Sequence, residues 1–538
     1  MEPVYLLDTT LRDGMQGENI YFTPEEKIRI AKKLDDLGVH YIEGGWPGSH
    51  LSVSTFFELA KSVTFKNAKL TAFSATRKPG IRPEADKNLL ALIECGAPAC
   101  TIFGKTWDLH IEQVMNNTLD ENLTMIRESV SYIKNQGREV IYDAEHFFDG
   151  YKGNREYAVK SLMAALDGGA DFVTLCDTNG GTLPHEVQAI VSDVKRTIEQ
   201  THKEGGSLYS VRLGIHAHND CGMAVANSIS SVQAGAVMVH GTINGYGERC
   251  GNADLTTIIP ILCLKMNIPA LSLENLKKVT SVSRFVSEIA NMIPLNARPF
   301  VGKSAFAHKG GIHVSAVKKI PMTYEHMEPE LVGNSRRVLV SEQAGKSNIE
   351  FKAKELGIEL DMESTDTQKI ISEIKRLEQD GYQYEVADAS FKILVEKLLG
   401  RFNPLFELRS FMVTVIKEKD RPCSAQASIK IAVEGDEKIT VAEGDGPVSA
   451  LDNAFRKALN KFYPGALDTT HLVDFKVRVI DGRDGTKAKV RLIIESRDES
   501  HIWGTIGISD DIIEASWDAL ADCFQYKLER LAKEGAAS

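Results

Sequence analysis

The 538 residues contain no paired C-x-x-C, no apolar run long enough to span a bilayer and no excess of positive charge. Each absence removes a class of function. The eight cysteines, at 95, 100, 176, 221, 250, 263, 423 and 523, are scattered, which fits free, mostly buried thiols in a reducing cytosol rather than a disulfide framework. Met1-Glu2-Pro3-Val4 carries no basic stretch leading into an apolar one, so no secretory signal is expected and the predicted location is cytoplasmic. A net charge of -11 argues against nucleic acid or an anionic membrane as the main partner. No G-x-G-x-x-G follows the first strand-like run, which disfavours an open, doubly wound sheet.

What is present is an ordinary globular composition, 43% hydrophobic and 25% charged, in a chain long enough for two or three domains. Short apolar, β-branched runs recur at 4–7, 41–44, 70–75, 100–104, 140–144, 172–177, 211–218 and 237–244. Amphipathic stretches such as Pro24–Leu37 and Arg155–Asp167 lie between them. Runs of this kind suit strands buried on both faces. Eight strand–helix units in this length predict an α/β fold that begins with a TIM (β/α)8 barrel, over 1–270. Residues 271–404, charged and with a polar stretch at 362–369, read as a helical linker subdomain. Residues 405–538 read as a separate α/β domain of two repeated units. Strands are expected near 408–417, 426–433 and 438–442 with a helix from Val448, and again near 472–480, 488–495 and 503–508 with a helix from about Ile512.

A barrel of this type carries its chemistry at the C-terminal ends of its strands. The polar residues of this sequence collect there: Asp8-Thr9-Thr10-Leu11-Arg12-Asp13, Glu43, Tyr142-Asp143-Ala144-Glu145-His146, Asp177-Thr178-Asn179, His216-Ala217-His218-Asn219-Asp220 and the segment GTINGYGERCGNADL at 241–255. His216 and His218 are two apart, so their side chains share one side of a strand. Two imidazoles beside the Asp13 carboxylate, with Asn252 able to add an amide oxygen, predict a site for Mg, Mn, Zn or Co with open coordination positions. Phe73 and Phe103 fall where the third and fourth strands would narrow the pocket, favouring a small substrate side chain over a bulky one. Gly444-Asp445-Gly446-Pro447 forms a turn into a helix start of the kind that binds carboxylates.

DTTLRDGMQ, HAHND and GTINGYGERCGNADL together resemble the barrel of the isopropylmalate, homocitrate and citramalate synthases and related lyases. AFAHKGGIHVSAV at 305–317 is similar to the family's subdomain segment, and the repeated tail resembles its regulatory domain. IEGGWPGS, FGKTWDLH, YDAEHFFDGYK and CDTNGGTLP look like the long-chain citramalate synthase branch. The resemblance implies a Claisen condensation of acetyl-CoA, as co-substrate, with a 2-oxo acid, pyruvate in that branch. Thioester hydrolysis would then give (R)-citramalate and CoA on the route to isoleucine. It implies a divalent cation on Asp13, His216, His218 and Asn252, polarising the ketone. Arg12 would stabilise the developing alkoxide, Thr178 would hold the substrate carboxylate and Gln16 would line the pocket. Glu145 matches the family's proton-abstracting glutamate; His313, rather than His308, and Tyr324 match the subdomain pair that completes the site. A homodimer and feedback by isoleucine at the 444–446 turn are further implications.

Other readings stay open at this point. Isopropylmalate and homocitrate synthesis need only a different pocket wall. A 3-hydroxy-3-methylacyl-CoA lyase would use a cysteine near Cys250, although the long tail is unexpected for it. A biotin-dependent carboxyltransferase would need a Met-Lys-Met segment, and Leu264-Lys265-Met266 lacks the first methionine. A catalytically dead barrel kept as an amino-acid sensor is the fourth.

Overall fold

A computed structural model of the chain describes residues 3–204, 211–339, 346–358, 360, 365–420, 422–480 and 488–536. Eight parallel strands close a barrel: β1 (Tyr5–Asp8), β2 (Tyr41–Gly45), β3 (Lys69–Ala75), β4 (Ala99–Lys105), β5 (Glu139–Glu145), β6 (Phe172–Asp177), β7 (Leu213–Ala217) and β8 (Met238–Gly241). The β1–β8 pairing, Tyr5 opposite Met238 through Asp8 opposite Gly241, shuts the ring. Successive side chains alternate between the inside and the helix-covered outside. Leu7, Tyr41, Ala99, Ile141, Phe172 and Met238 form one buried cluster, and the outward residues join a larger core with the helices. The last two strands end sooner than the apolar runs at 211–218 and 237–244. His218 is already outside β7, in an isolated bridge to Asn252, and residues after Gly241 enter a tight turn.

Local chemistry sets the helices. Thr23 and Glu26 form a reciprocal capping box, Pro24 opens the helix Pro24–Leu37, and Gly38 closes it at φ 94°. Asp86, Thr118, Asn154 and Asp254 cap later barrel helices through their side chains. The unit holding the barrel continues through Phe306 and includes Met327–Ser335. The reason is apolar burial: Leu276, Val279, Val282 and Val286, on the helices Leu273–Leu276 and Val279–Ile289, join the barrel's core.

The second unit comprises Ala307–His326 and the residues from Arg336 onward. The short strands β9 (Ala307–His308) and β10 (Arg337–Val338) pair in parallel. Helices follow at Lys346–Glu355, Thr365–Gln379 and Asp388–Leu398. The polar stretch at 362–369 is a helix from Thr365 onward; 361–364 lie outside the described residues. The tail is a repeat: β11 (Glu407–Ile416), β12 (Ser424–Val433) and β13 (Asp436–Gly444) with the helix Pro447–Leu459, then β14 (His471–Val479), β15 (Val490–Arg497) and β16 (Ile502–Ser509) with the helix Ile512–Ala536. Each repeat uses a glycine where helix meets third strand. A Cβ on Gly444 would lie 2.4 Å from the Ala450 nitrogen, and one on Gly507 would lie 1.9 Å from the Ala515 oxygen. Among the described residues no helix is long and apolar enough to cross a membrane.

Candidate active site

The turn after β1 is organised by Asp8. Its carboxylate accepts bonds from the Thr10 N–H and hydroxyl at 3.0 and 2.9 Å, and burial pushes it up to about 7. That turn presents Arg12 and Asp13 to the mouth of the barrel. Asp13 is fully buried, and its Oδ2 lies 3.3 Å from His216 Nε2 and 3.4 Å from Arg12 Nη1. His216 Nε2 and His218 Nε2 are 3.3 Å apart. Asp13, His216 and His218 bring one ligand atom each within 4.8 Å of one another, so β1 and β7 assemble the candidate metal site the sequence predicts.

Asn252 reaches the same place through the loop after β8. It bridges to His218, and its backbone N–H donates to the Gly245 oxygen at 3.1 Å. Gly251 holds φ 89° with its Cα facing the Gly245 oxygen, where a Cβ would lie 2.0 Å away. Only glycine fits there. The donor set suits a hard or borderline divalent ion. Asp13 Oδ1 and Asn252 Oδ1 are buried and have no hydrogen-bond partner among the described residues, as acceptors waiting on a cation would be. Burial alone would raise Asp13, yet Arg12 and the two histidines hold it well below the usual carboxylate range. Burial together with His216 pushes His218 down to about 4, so its nitrogen is neutral at neutral pH.

Arg12 is fixed on three sides. Its Nε donates to Glu43, Nη1 pairs with Asp13, and its guanidinium lies 3.8 Å over the Phe73 ring. Phe73 stacks on Phe103 at 5.2 Å, and Trp46 meets both edge-on at 5.9 and 5.7 Å. The two predicted wall residues join Trp46 in a three-ring wall, and the Phe73 ring carries the arginine. Beneath the ligands lies a buried polar layer. Asp143 is pushed up to about 7 by burial, and the His240 Nδ1 lies 3.8 Å from its Oδ1.

Arg12, Asp13, Gln16, Phe73, Phe103, Glu145, Thr178, His216 and His218 all line one cavity of about 530 Å³, with Trp46 and Arg249. Gln16 is exposed at its rim. Glu145 ends β5 and pairs with the Lys105 ammonium. The Thr178 hydroxyl accepts the His146 N–H at 2.9 Å, tying β6 to the end of β5. Arg249 braces the far rim, with Nε and Nη2 on the two Asp220 oxygens at 2.7 and 3.1 Å and Nη2 also on the Thr178 carbonyl at 2.8 Å. Cys250 is exposed and does not line the cavity.

The remaining predicted residues lie in the second unit. His313 and Tyr324 are exposed and stack on one another with centroids 4.2 Å apart. His308 is buried on Glu325 at 3.0 Å, and Glu325 is itself held by Arg336, so its place is structural. Gly444 ends β13, Asp445 is exposed, and Gly446 precedes Pro447 at the start of the following helix. Trp46, Lys105 and the Arg249–Asp220 pair escaped the sequence reading as site residues. Position was their one signal, and it names no partner: Lys105 ends β4, Trp46 follows β2 by one residue, Asp220 follows β7 by three and Arg249 lies in the loop after β8.

Residues 3–286 match the family described as HMGL-like, 300–382 the homocitrate synthase post-HMGL domain-like family, and 385–528 the LeuA allosteric (dimerisation) domain. The chain is 52% identical to an (R)-citramalate synthase of Aquifex aeolicus over 99% of each chain. It is 49% identical to that of Geobacter sulfurreducens over 98% of each. A 2-isopropylmalate synthase of Methanocaldococcus jannaschii is 32% identical over 96% of this chain and 93% of its own. The chain belongs to the HMGL-like family and, along its whole length, to the branch formed by the (R)-citramalate synthases.

Proposed function

We propose that the chain condenses acetyl-CoA with pyruvate and hydrolyses the thioester to release (R)-citramalate and CoA. The observation that carries this reading is the convergence of Asp13, His216 and His218 on one point of a cavity that also holds Arg12, Glu145 and an aromatic wall. A divalent cation held by Asp13, His216, His218 and Asn252 would supply Lewis-acid polarisation of the 2-oxo acid's ketone. The protein's own residues do the rest. Arg12, locked by Glu43 and Phe73, offers a fixed positive charge to the oxygen on which negative charge grows, at no cost of reorganisation. Thr178 faces the carboxylate of the 2-oxo acid. Glu145 takes a proton from the acetyl methyl group, a task that requires a base positioned within hydrogen-bond reach. Trp46, Phe73 and Phe103 exclude water and limit the substrate's side chain. His313 and Tyr324, which match the family's subdomain pair, also take part, and their replacement by Ala and Phe respectively is expected to lower kcat.

The LeuA-type tail supports a homodimer, and the 444–446 turn is the proposed seat of feedback by isoleucine. Eight free cysteines support a reducing, cytoplasmic setting. The test is release of free CoA thiol from acetyl-CoA and Mn²⁺ with pyruvate, 2-oxobutanoate, 2-oxoisovalerate and 2-oxoglutarate in turn, with and without isoleucine. Pyruvate is expected to give the highest kcat/KM. Preference for 2-oxoisovalerate or 2-oxoglutarate would replace this reading with isopropylmalate or homocitrate synthesis.

A further inference from the structure

Beyond Phe103, the segment FGKTWDLH takes no part in the chemistry above, yet it carries the end of β4, directly beside Glu145. Lys105 is the strand-register partner of Glu145. The lysine ammonium pairs with Glu145 Oε2 and lies 5.4 Å over the Phe103 ring; both side chains are largely withdrawn from solvent, at 19% and 24% exposure. Oε2 is buried and, among the described residues, has no hydrogen-bond partner, so its contact with the ammonium is the ion pair itself. The next residue, Thr106, is fully buried, and its N–H and hydroxyl both donate to the Glu145 carbonyl, at 3.2 and 2.7 Å. From the other side the Thr178 hydroxyl takes the N–H of His146. Glu145 is therefore gripped at its carbonyl, at the following peptide and at one carboxylate oxygen.

We propose that Lys105, backed by Thr106, is a positioning residue for Glu145: it holds Oε2 so that Oε1 alone meets the acetyl methyl group. This rests on the reading of Glu145 as the base. In that step the methyl C–H bond breaks, its proton passes to Oε1, and the electron pair moves into the thioester as an enolate. A carboxylate free to swing would lose the near-attack geometry on which such a transfer depends, and a displacement of about 1 Å costs on the order of 10²-fold in rate.

The test uses the full-length, Mn²⁺-loaded enzyme. Lys105→Met is expected to lower kcat on the order of 10²-fold while leaving KM for pyruvate unchanged. The isotope effect on kcat with methyl-deuterated acetyl-CoA is expected to rise, because proton abstraction becomes more rate-limiting. Lys105→Arg, which keeps the charge, is expected to recover most of kcat, and Lys105→Gln to fall between. The Arg and Gln variants carry the test if the Met variant does not fold. Variants that turn over as fast as the parent, or that lose kcat with an unchanged isotope effect and no recovery in Lys105→Arg, overturn the proposal. Glu145→Gln separates the two claims: if it keeps full activity, the base assignment itself fails, whatever Lys105 does.

Discussion

The Nε2 atoms of His216 and His218 stand 3.3 Å apart, and the first of them is also 3.3 Å from Asp13 Oδ2. At such spacing the two nitrogens hold at most one proton between them, and a divalent ion satisfies both at once. The arrangement follows from elementary geometry. Residues two apart on a strand share a face, β7 pairs into a closed barrel, and the turn after β1 delivers Asp13 from two strands away around the ring.

Phe103 sets the size of the substrate. It stacks on Phe73, which in turn carries Arg12. Phe103→Ala is expected to raise the ratio of kcat/KM for 2-oxobutanoate over pyruvate on the order of 10-fold, since one methylene is worth about 1–3 kcal/mol in an apolar pocket. Steady-state kinetics on the two substrates check this, and an unchanged ratio would place the wall elsewhere.

Gly251 sets the position of Asn252. A methyl group at this φ would meet the Gly245 oxygen at 2.0 Å, so the loop must move. Gly251→Ala is expected to weaken Mn²⁺ binding in a calorimetric titration and to lower the thermal midpoint, with a backbone cost of about 1–3 kcal/mol. Gly222→Ala makes a suitable control: its φ is 70° but the space around it is open, so it should pay strain without losing metal.

Much of this was legible in the chain. Eight apolar runs mark eight strands, because a parallel sheet buried on both faces must be written in uninterrupted apolar residues. The ligands and the wall could be placed because a barrel concentrates function at its strand ends. Lys105 was not legible in the same way. A lysine after a strand looks like any solvent-facing residue until the β4–β5 register sets it beside Glu145. Trp46 was hidden for a similar reason, since an aromatic in a Gly-rich turn declares no partner until Phe73 and Phe103 stand on neighbouring strands. Asp143 was read as one of the polar residues at the rim and His240 as a strand residue; only closure of the ring brings the two together beside His216.

The second unit carries its own pH dependence. Asp498 is half-buried with its carboxylate covered by its partners; partial burial would raise it, but Lys527 at 2.7 Å, the Ser500 and His501 N–H groups and Arg530 outweigh that and hold it below the usual range. A folded-state pKa below the unfolded value of about 3.9 gives stability that is complete above that pH and lost progressively as pH falls from there to the folded value. Asp498→Asn is expected to cost about 2 kcal/mol at pH 7 and to flatten the loss of stability as pH falls below 5. Denaturant unfolding followed by far-UV circular dichroism at several pH values checks both. An Asn variant as stable as the parent at pH 7 would contradict the assignment.

The most direct measurement concerns the cation. The enzyme is stripped with a chelator, dialysed, and assayed for CoA release from acetyl-CoA and pyruvate before and after adding back Mn²⁺, alongside Asp13→Ala treated the same way. Activity should vanish on stripping, return with the metal in the parent chain, and stay absent in Asp13→Ala. A stripped enzyme that condenses its substrates at the original rate, or an Asp13→Ala variant that recovers fully, would contradict the account.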